Sequence, residues 1–372
     1  MNTRKAALIA ALLAALSSAW GDSIADLRQA VTSCFAKASD AIAAAEVYSI
    51  STGEVLYSRD CHRPLIPASN TKLVTSATAL EMLGADYRFH TAVYGNMETG
   101  IGGTVDGDLI LRGDADPGLS NAYLATLANQ LWKAGIRRVS GKVLATGPVG
   151  SGDVNFTAAQ TAEAFYKRLG EVGILVGGDW GAIKTVPHGA LKLVGHESRP
   201  IKETIRLMNK PSDNQIANSL MRTLIVKVGA QKERPLSFVA HFWQQRGLDV
   251  TGVCLYDGSG LSRGNRVTPA FLIGLLEYMH DESAHAEAFA ASLPIAGCDG
   301  TLAHRMRDTC AESNVQAKTG WLTGVCCLSG YAETRDGEPL AFSLMFNGFD
   351  CDANVFRRLQ DQVCVKLTGF KR

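Results

Sequence analysis

The sequence predicts an α+β protein built on an antiparallel sheet flanked by helices, with a helical subdomain and a small β-rich inserted subdomain. Strand-like runs lie near both ends of the chain, helix-like segments fill the middle, and a stretch of short glycine-rich strands interrupts them early. Strands at the two ends imply a sheet that is completed only when the termini meet.

Taken in order, an amphipathic helix is expected at about 23–37. Glu46-Val47-Tyr48-Ser49-Ile50, the turn-like Ser51-Thr52-Gly53-Glu54 and Val55-Leu56-Tyr57 then read as a β-hairpin. Pro67-Ala68-Ser69-Asn70-Thr71-Lys72 leads into a helix ending at Gly84, so Ser69 stands where a helix begins. From about 89 to 150 the composition shifts to short strands such as GTVDGDLILRGD and VSGKVLA, with one helix near 120–134. This shift marks residues 89–152 as an insertion between two parts of a main domain, 22–88 and 153–372. Further on come a helix near 157–172, strands around 183–195, a helix from about 201 towards Lys210-Pro211, and another after Asn214. Val253-Cys254-Leu255-Tyr256 reads as a strand, and 269–279 as a helix whose start is set by Thr268-Pro269. Residues 325–334, the Asp336-Gly337 turn and 339–347 form a hairpin, and 352–367 a closing helix.

Residues 1–21 are expected to be an export signal. Arg4 and Lys5 are followed by an apolar run from Ala6 to Leu16 and by the small residues Ser17-Ser18-Ala19. That run is about eleven residues, short of the roughly twenty a spanning helix needs, and no later stretch is long enough. The mature chain is therefore expected in the periplasm, without a transmembrane segment. A net charge of +1 with 20% charged residues gives no broad field to attract nucleic acid or an anionic membrane, and suits a small neutral peptide. Nine cysteines is an odd number, so at least one is unpaired or intermolecular. Cys326 and Cys327 are neighbours in a strand and point to opposite faces. The sequence has no Cys-x-x-Cys or His-Glu-x-x-His pattern and implies no metal and no cofactor. Asp114 and Asp116 in GDADPGLS could face a cation, but the reading preferred is a turn with exposed acids and Pro117-Gly118.

A serine hydroxyl becomes a useful nucleophile only when a nearby base removes its proton. Ser69-Asn70-Thr71-Lys72 sets serine and lysine at i and i+3, on one helix face. Ser212-Asp213-Asn214 and Lys318-Thr319-Gly320 follow in that order, the three elements of serine-lysine acyl-transfer enzymes. Each could occur alone for a structural reason: Ser69 or Ser212 as a helix cap, Lys318 as an exposed strand end. A competing motif, Gly260-Leu261-Ser262-Arg263-Gly264, matches the G-x-S-x-G nucleophile elbow, with His280, His285 and His304 downstream. It lacks the strand leading directly in and the helix leading directly out that an elbow needs.

With these motifs in place, the chain resembles the class C low-molecular-mass penicillin-binding proteins, the D-alanyl-D-alanine carboxypeptidase/endopeptidases. The likeness covers PASNTKLVTSATALEMLGADYRFHT, GDADPGLS, LMNKPSDNQIANSL, DGSGLSRGNRVTP, SLPIAGCDGTLAHR and AKTGWLTGVCCLSGY, and so spans most of the chain. It implies a β-lactamase/transpeptidase-like fold. One departure stands out: family members carry a long insertion of two accessory domains, whereas here 139 residues, 73–211, separate the first two motifs.

The resemblance implies that Ser69 attacks the bond between two D-alanines of peptidoglycan stem peptides, with Lys72 as neutral base. Burial and the positive Lys318 are expected to lower the Lys72 pKa. Ser212 would relay the proton to the leaving amine, and Asn214 would hold the peptide and Lys72. Lys318 and Thr319 would bind the terminal carboxylate, while Gly320 would let the substrate lie along the strand edge. Backbone N–H groups of Ser69 and Trp321 would form the oxyanion hole. β-Lactam antibiotics would acylate the same serine as covalent inhibitors. The rival readings are a serine β-lactamase and a non-catalytic peptidoglycan-binding protein on the same fold. Against the former, the chain has no Glu-x-x-Leu-Asn segment after Ser-Asp-Asn to position a water as class A enzymes do, and the latter would take no covalent label.

Overall fold

The computed structural model describes residues 23–97, 103–114, 116, 118–147, 157–229 and 236–372. The expected export signal lies outside the described residues.

Helix α1 (Ile24–Phe35) opens on a capping box, with Ser23 and Asp26 each satisfying the other's backbone N–H. Strands β1 (Ile42–Ser49) and β2 (Glu54–Arg59) form the expected hairpin. After a short 3-10 turn at Ala68–Asn70 comes α2 (Thr71–Leu83), which ends at Gly84 with φ +89°. Every residue of α2 from Thr71 to Leu80 is buried. Its Ser76 and Thr78 hydroxyls are satisfied by bonding the carbonyls four residues back, and the Thr75 hydroxyl by the Gly258 carbonyl at 2.7 Å, which lets a polar-dotted helix sit inside a core.

The insertion comprises β3 (His90–Met97), β4 (Thr104–Arg112), α3 (Asn121–Lys133), β5 (Arg138–Val139), β6 (Val143–Thr146), α4 (Ala158–Glu171), β7 (Leu175–Val176), β8 (Trp180–Ala182) and β9 (Leu191–Glu197). These strands build one mixed sheet, β7-β5-β4-β3-β9, with β6 and β8 joined to it through β4. They share a core with α3 and α4 that includes Leu111, Leu127, Val143, Phe165 and Leu169. The boundary expected at 152 is thereby moved to about 197. The amphipathic period of α4 predicts a helix but not which sheet its Phe165 face will cover, and β9 returns to pair with β3 along its length.

The main domain resumes with α5 (Ile201–Asn209), α6 (Asn214–Lys227), α7 (Ser237–Gln244), α8 (Pro269–Asp281) and α9 (Ala286–Ser292). The Thr268 hydroxyl caps α8 by accepting the Phe271 N–H at 3.0 Å. The strand expected at 253–256 is absent: Cys254 makes a single bridge to Arg266 within a loop. Strands β10 (Gln316–Leu322), β11 (Val325–Glu333) and β12 (Pro339–Asn347) and the last helix α10 (Asn354–Gly369) close the fold. The main sheet runs β10-β11-β12-β1-β2, all antiparallel, so strands from both ends of the chain meet at the β12–β1 pairing as expected. Helices α1 and α10 cover one face and α8 with the helical subdomain the other. Cys326 and Cys327 enter these two opposite cores, and all nine cysteines are free thiols.

Candidate active site

The turn carrying Ser69 is held from several sides. Ala68, just before it, has φ +47°, a left-handed backbone that a non-glycine residue adopts only where its surroundings impose it. Asn70 is fully buried and donates through Nδ2 to Ser329 Oγ at 2.7 Å, and Ser329 in turn reaches Ser343 Oγ at 2.9 Å. The turn is thus tied to the middle of the main sheet. Ser69 itself keeps partial exposure.

Lys72, in the first turn of α2 and three residues beyond Ser69, is completely buried. Its ammonium donates to Ser69 Oγ at 3.0 Å, to Asn214 Oδ1 at 2.7 Å and to the Ser259 carbonyl oxygen at 2.7 Å. Burial pulls its pKa down to about 8, against the pull of Asp257 and Asp213, which favour the charged form. Asn214 is the first residue of α6, whose start is fixed by Asp213: Asp213 Oδ1 accepts the N–H groups of Gln215 and Ile216 at 2.8 and 2.9 Å. Ser212 occupies the corner between α5 and α6 with φ +64°. Its hydroxyl makes no hydrogen bond to Ser69 or Lys72.

Lys318 in β10 is also fully buried, and its pKa lies well below that of a free lysine, first from burial and then from the nearby Lys72 ammonium. For Lys72 burial is the leading cause, and the repulsion between the two ammonium groups is mutual, each making the other easier to deprotonate. Lys318 Nζ donates to the Thr319 carbonyl at 3.0 Å, and the Thr319 hydroxyl donates to Thr301 Oγ1 at 2.8 Å.

β10 is an edge strand. The Ala317 N–H points away from β11 and bonds the Pro294 carbonyl at 2.9 Å. Strand alternation then turns the N–H groups of Thr319 and Trp321 to the same outer edge, where no strand pairs with them among the described residues. Gly320 packs closely against the turn that carries the nucleophile. A Cβ there would lie 2.5 Å from the Pro67 carbonyl oxygen and 3.1 Å from Asn70 Oδ1. The missing side chain makes room for the Ser69 turn, bringing β10 against it.

The three motifs thus converge, with direct bonds among Ser69, Lys72 and Asn214. The competing serine, Ser262, accepts the Gly264 N–H at 3.2 Å within a tight turn and belongs to no serine-base pair. The stretch around this serine, 257–265, which the sequence marks only by the elbow match and the family likeness, supplies the Ser259 carbonyl to Lys72. Arg263 donates to the Thr323 carbonyl at 2.6 Å and links the stretch to the β10–β11 turn. Asp114 is engaged by Lys227 at 3.0 Å and by the Tyr87 hydroxyl at 3.0 Å.

Compared with known proteins, the chain matches the D-Ala-D-Ala carboxypeptidase 3 (S13) family over residues 27–149 and 148–368. It is 30% identical to a D-alanyl-D-alanine carboxypeptidase from an Actinomadura strain, over 96% of this chain and 87% of that protein. Identity to the D-alanyl-D-alanine carboxypeptidase DacB of Haemophilus influenzae is 35%, over 53% of this chain and 42% of the other. The crystal structure of penicillin binding protein 4 (dacB) from Haemophilus influenzae matches with a TM-score of 0.80 at 22% identity, covering 91% of this chain and 99% of that one. At that identity the structural likeness speaks for the fold.

Proposed function

Because the chain belongs to the D-Ala-D-Ala carboxypeptidase 3 (S13) family, a family of serine peptidases, we propose that it cleaves peptidoglycan stem peptides ending in D-Ala-D-Ala through an acyl-enzyme on Ser69. The observation that carries this is a fully buried lysine with a pKa lowered to about 8, hydrogen-bonded to a partly exposed serine hydroxyl at 3.0 Å.

In its neutral form Lys72 takes the Ser69 proton as Oγ attacks the carbonyl between the two D-alanines. The N–H groups of Ser69 and Trp321 stabilise the oxyanion, a contribution of roughly 3 kcal/mol for one such donor. Asn214 steadies both Lys72 and the peptide. Ser212 passes the proton to the leaving amine, and D-alanine departs. Lys318 and Thr319 hold the terminal carboxylate. That carboxylate gives Lys318 a counter-ion and keeps it charged, and the charge so fixed pushes the proton off Lys72 when substrate is bound. Water then cleaves the ester, the proton returning through Lys72.

β-Lactam antibiotics are the proposed covalent inhibitors, since a strained amide beside a carboxylate meets the same groups. A structure of the Haemophilus influenzae protein complexed with a β-lactam matches this chain at a TM-score of 0.79 and 24% identity. Export to the periplasm through the signal at 1–21 belongs to the same proposal, and among the described residues no helix is long and apolar enough to cross a membrane.

The test is D-alanine release from a peptide ending in D-Ala-D-Ala, measured beside penicillin hydrolysis. Steady release with slow penicillin turnover is expected. Rapid penicillin hydrolysis without D-alanine release would replace this reading with a β-lactamase.

A further inference from the structure

The stretch Asp257–Asn265 contains the literal elbow motif, yet its serine makes only a turn contact. Its chemistry lies in how it folds around one carboxylate. Asp257 Oδ1 accepts the N–H groups of Ser259 at 3.1 Å and Gly260 at 2.6 Å and the Asn265 side-chain amide at 3.0 Å, and Oδ2 accepts the Ser262 N–H at 2.6 Å. Four donors on one carboxylate, with Ser259, Gly260 and Asn265 buried, curl the chain into a compact loop. Two neighbouring helices clamp it. The Thr75 hydroxyl of α2 donates to the Gly258 carbonyl at 2.7 Å, and Asn218 Oδ1 of α6 accepts the Gly258 N–H at 3.2 Å.

What the loop delivers is the Ser259 carbonyl, 2.7 Å from Lys72 Nζ, and a close fit under the nucleophile. Gly260 has φ +89°, and a Cβ on it would stand 1.8 Å from the Ala68 carbonyl oxygen and 3.0 Å from the Ser69 nitrogen. The loop is in van der Waals contact with the turn that carries Ser69, so a shift in one must move the other.

We propose that Asp257 is a positioning residue for the acyl transfer: by folding its loop it sets the Ser259 carbonyl as the third acceptor for Lys72, aiming that amine at Ser69. This rests on the assignment of Ser69 and Lys72 as nucleophile and base. The charged groups that face Lys72 are Asp257 from the loop, Asp213 from the start of α6 and Lys318 from β10. The two carboxylates hold the proton on Lys72, and Lys318 opposes them. Removing the Asp257 charge leaves Asp213 alone against burial, and the amine gives up its proton at lower pH.

The experiment uses the full chain and the rate of acylation by a fluorescent penicillin, from about pH 6 to 10, with thermal melting to confirm folding. For Asp257→Asn the plateau rate falls by about tenfold or more, as expected when a base is misplaced by a fraction of an ångström, and the rising limb moves to lower pH. Asp257→Glu keeps the charge but displaces the carboxylate by a methylene, so its plateau falls while its limb stays where the wild type has it. An Asp257→Asn profile that overlays the wild type, or one lowered evenly with its limb unmoved, overturns the inference. If Asp257→Asn does not fold, Asp257→Glu decides, and a wild-type plateau in that variant overturns it. Wild-type protein that takes no label defeats the proposed function itself, and the inference with it, whereas labelled wild type with unaffected variants defeats the inference alone.

Discussion

Replacing Gly320 by alanine probes the closest approach between two of the motifs. The added Cβ would stand 2.5 Å from the Pro67 carbonyl oxygen, with Asn70 Oδ1 and Cys327 Cβ both at 3.1 Å, while ordinary contact begins at 3.4 Å. Gly320 lies in a strand with no left-handed backbone to strain, so alanine fits the local conformation and the whole effect comes from contact. The Pro67 oxygen is backbone and cannot rotate away; β10 and the Ser69 turn must part by about 0.9 Å. Overpacking of this kind costs about 1–3 kcal/mol of stability. A shift near 1 Å between reacting groups costs on the order of 10²-fold in rate. Acylation by a fluorescent penicillin, followed by stopped flow, should therefore slow by about that factor, with a lowered melting temperature. Wild-type acylation and melting would refute the reasoning, because they would mean that β10 does not abut the nucleophile.

Four further outcomes are expected. Lys72 acts as base only when neutral, and its pKa is about 8, so wild-type acylation should climb with pH through that value and then level; a rate independent of pH from about 6 to 9 would contradict this. The same depressed pKa means that the unfolded chain binds more protons than the folded one between about pH 8 and the free-lysine value of 10.5. Stability should rise with pH across that window, with Lys318 acting in the same direction, and urea unfolding of Lys72→Met should lose part of the slope. Asp213→Ala removes the cap of α6 and should cost about 1 kcal/mol by denaturant unfolding, while also slowing acylation through the loosened Asn214. Ser329→Ala leaves Asn70 Nδ2 buried without its acceptor, and should lower stability by about 1–3 kcal/mol and slow acylation in parallel.

Much of the site was legible because its signals are local. Ser69 and Lys72 meet because three residues of helix put them on one face, and Thr268-Pro269 announces a helix start. At the second motif the sequence offers Ser212 as the cap, whereas Asp213 accepts the first N–H groups of α6. The meeting of β1 with β12 also followed from strand-like runs at both ends of the chain. The misreadings share a different cause. Phe165 and Leu169 give α4 an apolar face, but nothing in that face says whether it will cover the insertion's sheet or the main one. Val253–Tyr256 has strand composition, yet one bridge from Cys254 is all its surroundings allow. Asp257, Ser259 and Gly260 look like loop residues because they are. Their value lies in backbone groups, the Ser259 carbonyl and the N–H donors around Asp257, which side-chain identity does not reveal. The resemblance implied only a substrate role for Gly320; its tight packing on the Pro67 carbonyl, which a Cβ would approach to 2.5 Å, is a contact between distant segments that no local pattern encodes.

The most direct measurement is intact mass after incubation with benzylpenicillin, for wild type and Ser69→Ala, followed by peptide mapping of any adduct. One penicilloyl group on the peptide containing Ser69, and none in the variant, is the predicted result. An adduct that survives Ser69→Ala, or that maps to Ser262, would show that the buried amine at 72 serves no nucleophile at 69.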